Sequence, residues 1–226
     1  STDKAVRPSS IMGATKRIAE LVCQSKLNTN SKTQISIVRF GNVLDSSGSV
    51  IPLFRNQITN DKPITITHKD VTRYFMTIPE AAQLVIQAGA ISDGGSIYIL
   101  DMGKPIKIAD IAEKIIKLYG YTPTYNEEDF NQNKSDQVLI TFTGLRRGEK
   151  LHEELFIDND FKETEHPRII SSKEKILDKK EINLILNNIE ESIENNDIEN
   201  LKRILNHPSI ELSLDHKIND LVWNDN

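Results

Sequence analysis

The chain of 226 residues carries one cysteine, one tryptophan and 6% aromatic residues. It has no apolar run near the roughly 20 residues that a membrane-spanning helix requires. Its longest apolar stretches, such as Leu84-Val85-Ile86 and Ile97-Tyr98-Ile99-Leu100, fall far short, so nothing in it is expected to cross a bilayer. The single thiol, Cys23, cannot form an internal disulfide, and no charged-then-apolar leader opens the chain; both absences point to a reducing cytoplasm. Positive charge is not in excess. A formal net charge of -5 argues against general nucleic-acid binding, because a duplex binder concentrates positive charge on one face and is usually basic overall. His68 and His152 stand outside any His, Cys or carboxylate cluster at ligand spacing, so no metal is expected. There is no internal repeat and no start methionine: Ser1-Thr2-Asp3-Lys4 opens on polar residues and reads as a cut.

What is present, 38% hydrophobic and 27% charged residues, suits a soluble globular chain able to bury a sizeable core. Pro8-Ser9-Ser10 signals a helix start, and Ile11, Ala14, Ile18, Leu21 and Val22 recur at helical spacing, which predicts a helix over about 9–26. Ile35 to Phe40 reads as a strand followed by a polar, glycine-containing loop at 41–49. Helices are expected over 50–59, 79–90 and 107–119, the last with Ile108, Ile111, Ile115 and Leu118 on one face and Gly120 as its cap. Strands are expected at 64–67, 97–101 and 138–142, and another helix from about Glu149. Strands separated by helical stretches imply an α/β fold with partly parallel pairing, since parallel neighbours need a crossover. Beyond about Lys173 the composition turns to Glu, Asp, Asn and Lys around sparse Ile and Leu. This predicts two units, residues 1–172 and an acidic helical tail at 173–226, marginally packed and frayed at Trp223 to Asn226.

On the first helix, Met12, Lys16, Ala19 and Cys23 fall along one line, off the apolar stripe. Lys16 alone is as well explained by a solvated helix face, and Cys23 by simple packing. A Ser/Thr-Asp strand end followed by a lysine one turn below a cleft-facing side chain is nevertheless the layout of short-chain dehydrogenase/reductases, with methionine here where tyrosine is usual. The wider string is specific: Ser1-Thr2-Asp3-Lys4-Ala5-Val6-Arg7-Pro8, Met12-Gly13-Ala14-Thr15-Lys16, Val38-Arg39-Phe40-Gly41-Asn42-Val43-Leu44, Ser47-Gly48-Ser49-Val50, Thr72-Arg73-Tyr74-Phe75-Met76-Thr77 and Gly144-Leu145-Arg146-Arg147-Gly148-Glu149-Lys150-Leu151. Over residues 1 to about 156 it closely resembles the UDP-N-acetylglucosamine 4,6-dehydratases of the CapD-type polysaccharide biosynthesis group, which are extended short-chain dehydrogenases.

The resemblance implies the later part of a Rossmann-type parallel sheet with a small substrate-binding subdomain, lacking the N-terminal dinucleotide-binding half. It also implies NAD as cofactor, a UDP-sugar as substrate and a homo-oligomer in the complete protein. The implied reaction oxidises C4 of the sugar, eliminates water across C5 and C6, and returns hydride to C6. By resemblance Asp3 protonates the departing C6 hydroxyl, Lys4 handles the C5 proton, Thr2 hydrogen-bonds the C4 oxygen, and Lys16 holds the nicotinamide ribose. Met12, a thioether, cannot act as a base, so the C4 hydroxyl proton must leave by another group. Asn42, Arg73 and Arg146 match positions facing the diphosphate and uridine, with Arg55 and Gln57 as further contacts; arginine's planar fork suits phosphate. Arg147 replaces a commoner proline, and Asp45 a common glycine. Methionine at position 12 resembles the long members, anchored in the membrane by a region absent from this chain and working at the cytoplasmic face. The rival expectations are a C4 epimerase or 5-inverting dehydratase on the same scaffold, and a non-catalytic UDP-sugar-binding module.

Overall fold

In the computed structural model, which describes residues 1–26, 33–126, 136–156, 161–174 and 176–213, helix α1 (Ile11–Ser25) starts where the Ser10 hydroxyl accepts the Gly13 N–H. Ala14, Ile18 and Leu21 are buried on its inner face, whereas Ile11 at its first position is exposed. A 3-10 turn, Asp3–Ala5, lies just before it.

The strands are β1 (Ile37–Arg39), β2 (Asn42–Val43), β3 (Ile64–Ile66), β4 (Thr72–Arg73), β5 (Phe75–Met76), β6 (Ile97–Leu100), β7 (Ile106–Lys107), β8 (Thr122–Thr124), β9 (Gln137–Phe142), β10 (Phe161–Glu163) and β11 (Ile169–Ser172). The remaining helices are α2 (Val50–Thr59), α3 (Ile78–Ala90), α4 (Ile108–Leu118), α5 (Lys179–Glu194) and α6 (Ile198–Leu205). One sheet has the order β1-β6-β11-β10; β1 and β6 are parallel, and β11 and β10 complete it antiparallel. β6, Ile-Tyr-Ile-Leu, is buried at every residue, as a strand covered on both faces must be. A second sheet, β3-β9-β8, is wholly parallel, and the short pairs β2-β5 and β4-β7 lie between the two in sequence. The chain is therefore mixed α/β with parallel sheets.

Three apolar clusters result. α3 packs with the first sheet; α2 and α4 pack with β3 and β9; α1 packs with the tail helices α5 and α6. α3 and α5 each open with a reciprocal capping box, Thr77 with Glu80 and Asp178 with Glu181. α4 ends at Gly120 with φ +84, but its inner face is Ile108, Ile111, Ala112, Ile115 and Ile116, while Leu118 is 84% exposed. The stripe that buries this helix therefore stops at Ile116, two residues before its end.

Two expectations are corrected. No helix begins at Glu149, because the segment's polar groups are spent on distant partners. Leu151 O accepts the Thr72 N–H at 3.0 Å, Lys150 Nζ donates to Val6 O at 3.0 Å, and Glu149 turns inward to Arg73. Nor is the described tail loosely attached: Leu177, Ile182, Ile185, Leu205, Ile210 and Leu212 are buried with Ala14, Ile18 and Leu21. Shortening one such side chain to alanine would cost about 2–5 kcal/mol. Trp223 to Asn226 lie outside the described residues.

Below the first sheet sits a buried ionic network. Arg39 Nη2 lies 2.6 Å from Glu20 Oε2, Arg17 Nη1 lies 2.6 Å from Glu174 Oε2, and Arg39 also pairs with Glu174. All four side chains are at most 6% exposed, so two arginines and two glutamates neutralise one another away from water. The network joins α1, β1 and the chain entering the tail. Burial pushes the Glu20 carboxyl up, but hydrogen bonds from Arg39 and Ser1 and the charges of Arg39 and Arg17 outweigh it and hold the group below its ordinary value.

Candidate active site

β1 ends at Arg39, and Phe40 O accepts the Asp3 N–H at 3.2 Å, which fixes the 3-10 turn beside the strand's C-terminal end. The turn is closed locally: Thr2 Oγ1 donates to Asp3 Oδ1 at 2.9 Å and accepts the Lys4 N–H at 3.4 Å. Asp3 is completely buried. Lys4 Nζ stands 3.1 Å from Asp3 Oδ1 and 3.3 Å from Asn42 Oδ1, with its side chain 29% exposed. The second carboxylate oxygen, Asp3 Oδ2, is buried without a hydrogen-bond partner among the described residues. A Cβ on Gly41 would come within 3.1 Å of it, so glycine there leaves the oxygen its space. An unpaired buried carboxylate oxygen is costly in a structural residue and useful in one that must exchange a proton with a ligand.

α1 presses against this turn. A Cβ on Gly13 would lie 2.4 Å from Lys4 O, so only glycine allows the approach. Met12 is 52% exposed, and Lys16 is also exposed, with no hydrogen bond or ion pair among the described residues. The line off the apolar stripe thus faces outward at Met12 and Lys16, whereas Cys23 is half-buried against the first sheet's core.

Next to the pair lies a cavity of about 570 Å³, in the range of small-molecule sites. Asn42, Arg73, Arg146 and Glu149 line it with apolar side chains that include Leu53 and Phe75. The N-terminus of α2 contributes Ser49, whose hydroxyl is buried with no partner among the described residues and does not cap the helix. Asn42 both borders the cavity and accepts from Lys4, so it joins the cavity to the pair. Arg146 is exposed, its guanidinium free of hydrogen bonds and ion pairs among the described residues, while its backbone N–H is held by Glu149 Oε2 at 3.1 Å. Arg73 is different. It is buried, donates to Thr72 O at 2.7 Å, Leu151 O at 3.3 Å and Glu149 Oε1 at 3.0 Å, and pairs with Glu153 at 3.8 Å. Its guanidinium therefore ties the Gly144 to Glu153 segment to β4.

Arg55 and Gln57 do not line the cavity: Arg55 pairs with Asp45, and Gln57 donates to Thr65 Oγ1 at 2.8 Å. Asp45 keeps the left-handed backbone of a glycine, φ +61. His68 and His152 bond locally, His68 Nδ1 accepting the Asp70 N–H and His152 Nδ1 meeting Thr72 Oγ1.

Glu153 is not among the residues that the motifs single out. It is buried, and burial pushes its carboxyl above the ordinary value; Lys4 pulls against this, Asp3 adds to it, and Arg73 and Lys150 pull against it. Lying in a charged run, Lys150 to Glu154, it looks like one more solvated acid. No signal in the sequence marks it.

Residues 1–174 match the family described as polysaccharide biosynthesis protein. The chain belongs to that family. It is 50% identical over 207 residues to the capsular polysaccharide biosynthesis protein CapD of Staphylococcus aureus, covering 91% of this chain and 32% of that one. It is 52% identical over 160 residues to the polysaccharide biosynthesis protein EpsC of Bacillus subtilis, covering 71% and 25%. The chain thus spans about a third or less of these relatives. Among solved structures, Pen from Bacillus thuringiensis is similar with TM-score 0.65 and 32% identity, over 83% of this chain and 60% of that one. A dTDP-glucose 4,6-dehydratase from Bacillus anthracis in complex with NAD shares the fold, with TM-score 0.52 and 16% identity over 66% and 44%. This polysaccharide biosynthesis family member therefore has the fold of the short-chain dehydrogenase/reductase superfamily. Among its described residues no helix is long and apolar enough to cross a membrane.

Proposed function

We propose that this chain carries the acid–base pair and the nucleotide-sugar cavity of an NAD-dependent 4,6-dehydratase that converts UDP-N-acetylglucosamine to a UDP-4-keto-6-deoxy sugar for polysaccharide assembly. The observation that supports it most is the Asp3–Lys4–Asn42 contact beside a cavity that also holds Arg73 and Arg146. NAD suits the residues present: the exposed, unpaired Lys16 can meet a ribose hydroxyl, on the outward line of α1 that also carries Met12. When bound, NAD supplies a reversible hydride acceptor for C4.

A ketone at C4 acidifies the C5 hydrogen. Lys4 Nζ, as the neutral amine, takes that proton while Asp3 delivers one to the C6 hydroxyl; the C5–H and C6–O bonds break, the C5–C6 double bond forms, and water leaves. The pair then holds one proton too many on Lys4 and one too few on Asp3. Their 3.1 Å contact lets that proton return directly. Arg146 is suited to the diphosphate, at the cavity wall near the N-terminus of α2, where backbone N–H groups and the helix dipole favour an anion.

Product analysis tests this. A complete protein containing the chain, given UDP-N-acetylglucosamine, is expected to yield a product lighter by one water with a 4-keto-6-deoxy sugar by NMR. A product of unchanged mass epimerised at C4, or binding without turnover, would contradict it.

A further inference from the structure

Val6 ends the turn that carries Asp3 and Lys4, and it is completely buried. Its N–H donates to Asp3 O at 3.0 Å, which closes the turn, and its carbonyl accepts from Lys150 Nζ at 3.0 Å. A buried carbonyl is costly without a donor, and a side chain 144 positions away supplies this one. Lys150 is only 17% exposed, and its ammonium also donates to Glu154 Oε1 at 3.2 Å. The segment bearing it has further anchors. Ser9 Oγ donates to Gly148 O at 2.8 Å, Leu151 O accepts the Thr72 N–H at 3.0 Å, and Glu149 holds Arg73 at 3.0 Å and the Arg146 N–H at 3.1 Å. Those contacts keep the segment at the cavity wall whether or not residue 150 carries an amine. Lys150 is the residue that reaches from it to the back of the turn.

We propose that Lys150 is a positioning residue for the acid–base pair. Seated on Val6 O, its ammonium fixes the C-terminal end of the turn, as Gly13 fixes Lys4 O from α1, and so keeps Asp3 Oδ1 and Lys4 Nζ at the 3.1 Å spacing that the elimination uses. Lys150 does not line the cavity, so its effect passes through the backbone of Val6 rather than through the substrate. Proton transfer is sensitive to such support: a misplacement of about 1 Å can cost roughly a hundredfold in rate. The proposal rests on the dehydratase reading, since the pair that Lys150 positions is the pair of that reaction.

The test measures kcat and KM for UDP-N-acetylglucosamine in a complete protein, for wild type, Lys150→Met and Lys150→Arg, with circular dichroism and UDP titration as checks on the fold and the cavity. Methionine keeps the length and the apolar stem and removes the donor. Its kcat is expected to fall at least about tenfold, with KM and UDP affinity changed far less. Lys150→Arg, which keeps a cationic donor within reach of Val6 O, should recover most of kcat. Should Lys150→Met not fold, Lys150→Gln, whose neutral amide is too short for Val6 O, carries the same expectation. A raised KM at unchanged kcat, or equal losses of kcat in the methionine and arginine variants, would overturn the proposal and leave Lys150 as a partner of Glu154. A wild type that returns a C4 epimer without losing water would instead overturn the dehydratase reading, and the role of Lys150 with it.

Discussion

The carbonyl oxygen of Lys4 lies 2.4 Å from where a Cβ on Gly13 would stand, so the helix bearing Met12 and Lys16 rests directly on the backbone of the turn that carries Asp3 and Lys4. A real Cβ cannot be that close to an oxygen, and the obstacle is main chain. Gly13→Ala is therefore expected to push α1 and the 3-10 turn apart, losing about 1–3 kcal/mol in chemical denaturation and most of the activity. A variant as stable and active as wild type would show that the contact is not constraining.

Met12 makes the opposite prediction. With 52% of its surface exposed, its replacement by tyrosine meets no core, and Met12→Tyr should change stability by no more than about 0.5 kcal/mol. On the proposed dehydratase reading a phenol at that position offers an additional proton route at C4, so activity should be kept or raised. Thermal unfolding and initial rates check both halves.

The Arg17–Glu20–Arg39–Glu174 network predicts how the fold responds to acid. The Glu20 carboxyl is held below its ordinary value, so its contribution to stability is fully present above the unfolded value near 4.5 and is lost as pH falls through the folded one. Denaturation midpoints should fall below about pH 4.5, and less steeply in Glu20→Gln. Glu174→Ala, which leaves two buried arginines sharing the single carboxylate of Glu20, should cost about 3–5 kcal/mol at pH 7. Loss of less than 1 kcal/mol would mean that water reaches the network.

Legibility in the sequence followed the range of the interactions. α1, α2, α3 and α4 were readable because each has a local start signal or an apolar stripe, as with Ser10, Pro79 in the first turn of α3, and Ile108 to Ile115. β11 was not, since Ile169-Ile170-Ser171-Ser172 is too short and half polar, and it becomes a strand only by pairing with β6. The tail helices were visible, but their sparse isoleucines gave no sign that α1 would cover them. Asn42, Arg73 and Arg146, scattered over more than 100 positions, were grouped through resemblance, and the fold brings them to one cavity. Arg73's internal hydrogen bonds and Glu153's burial depend on how the 144–156 segment folds back on β4. No periodicity encodes that.

The most direct test of the account separates Lys4 from Arg146. In a complete protein, Lys4→Ala should abolish elimination of water while leaving UDP-sugar affinity nearly unchanged, because it removes a proton-transfer group and leaves the cavity intact. Arg146→Ala should raise KM first, since its unpaired guanidinium lies on the cavity wall. The deciding measurement is the single-turnover rate of water loss in Lys4→Ala with UDP-N-acetylglucosamine saturating. The account predicts a fall of at least about a hundredfold, the usual contribution of a positioned general base; a rate near that of the wild type would contradict it.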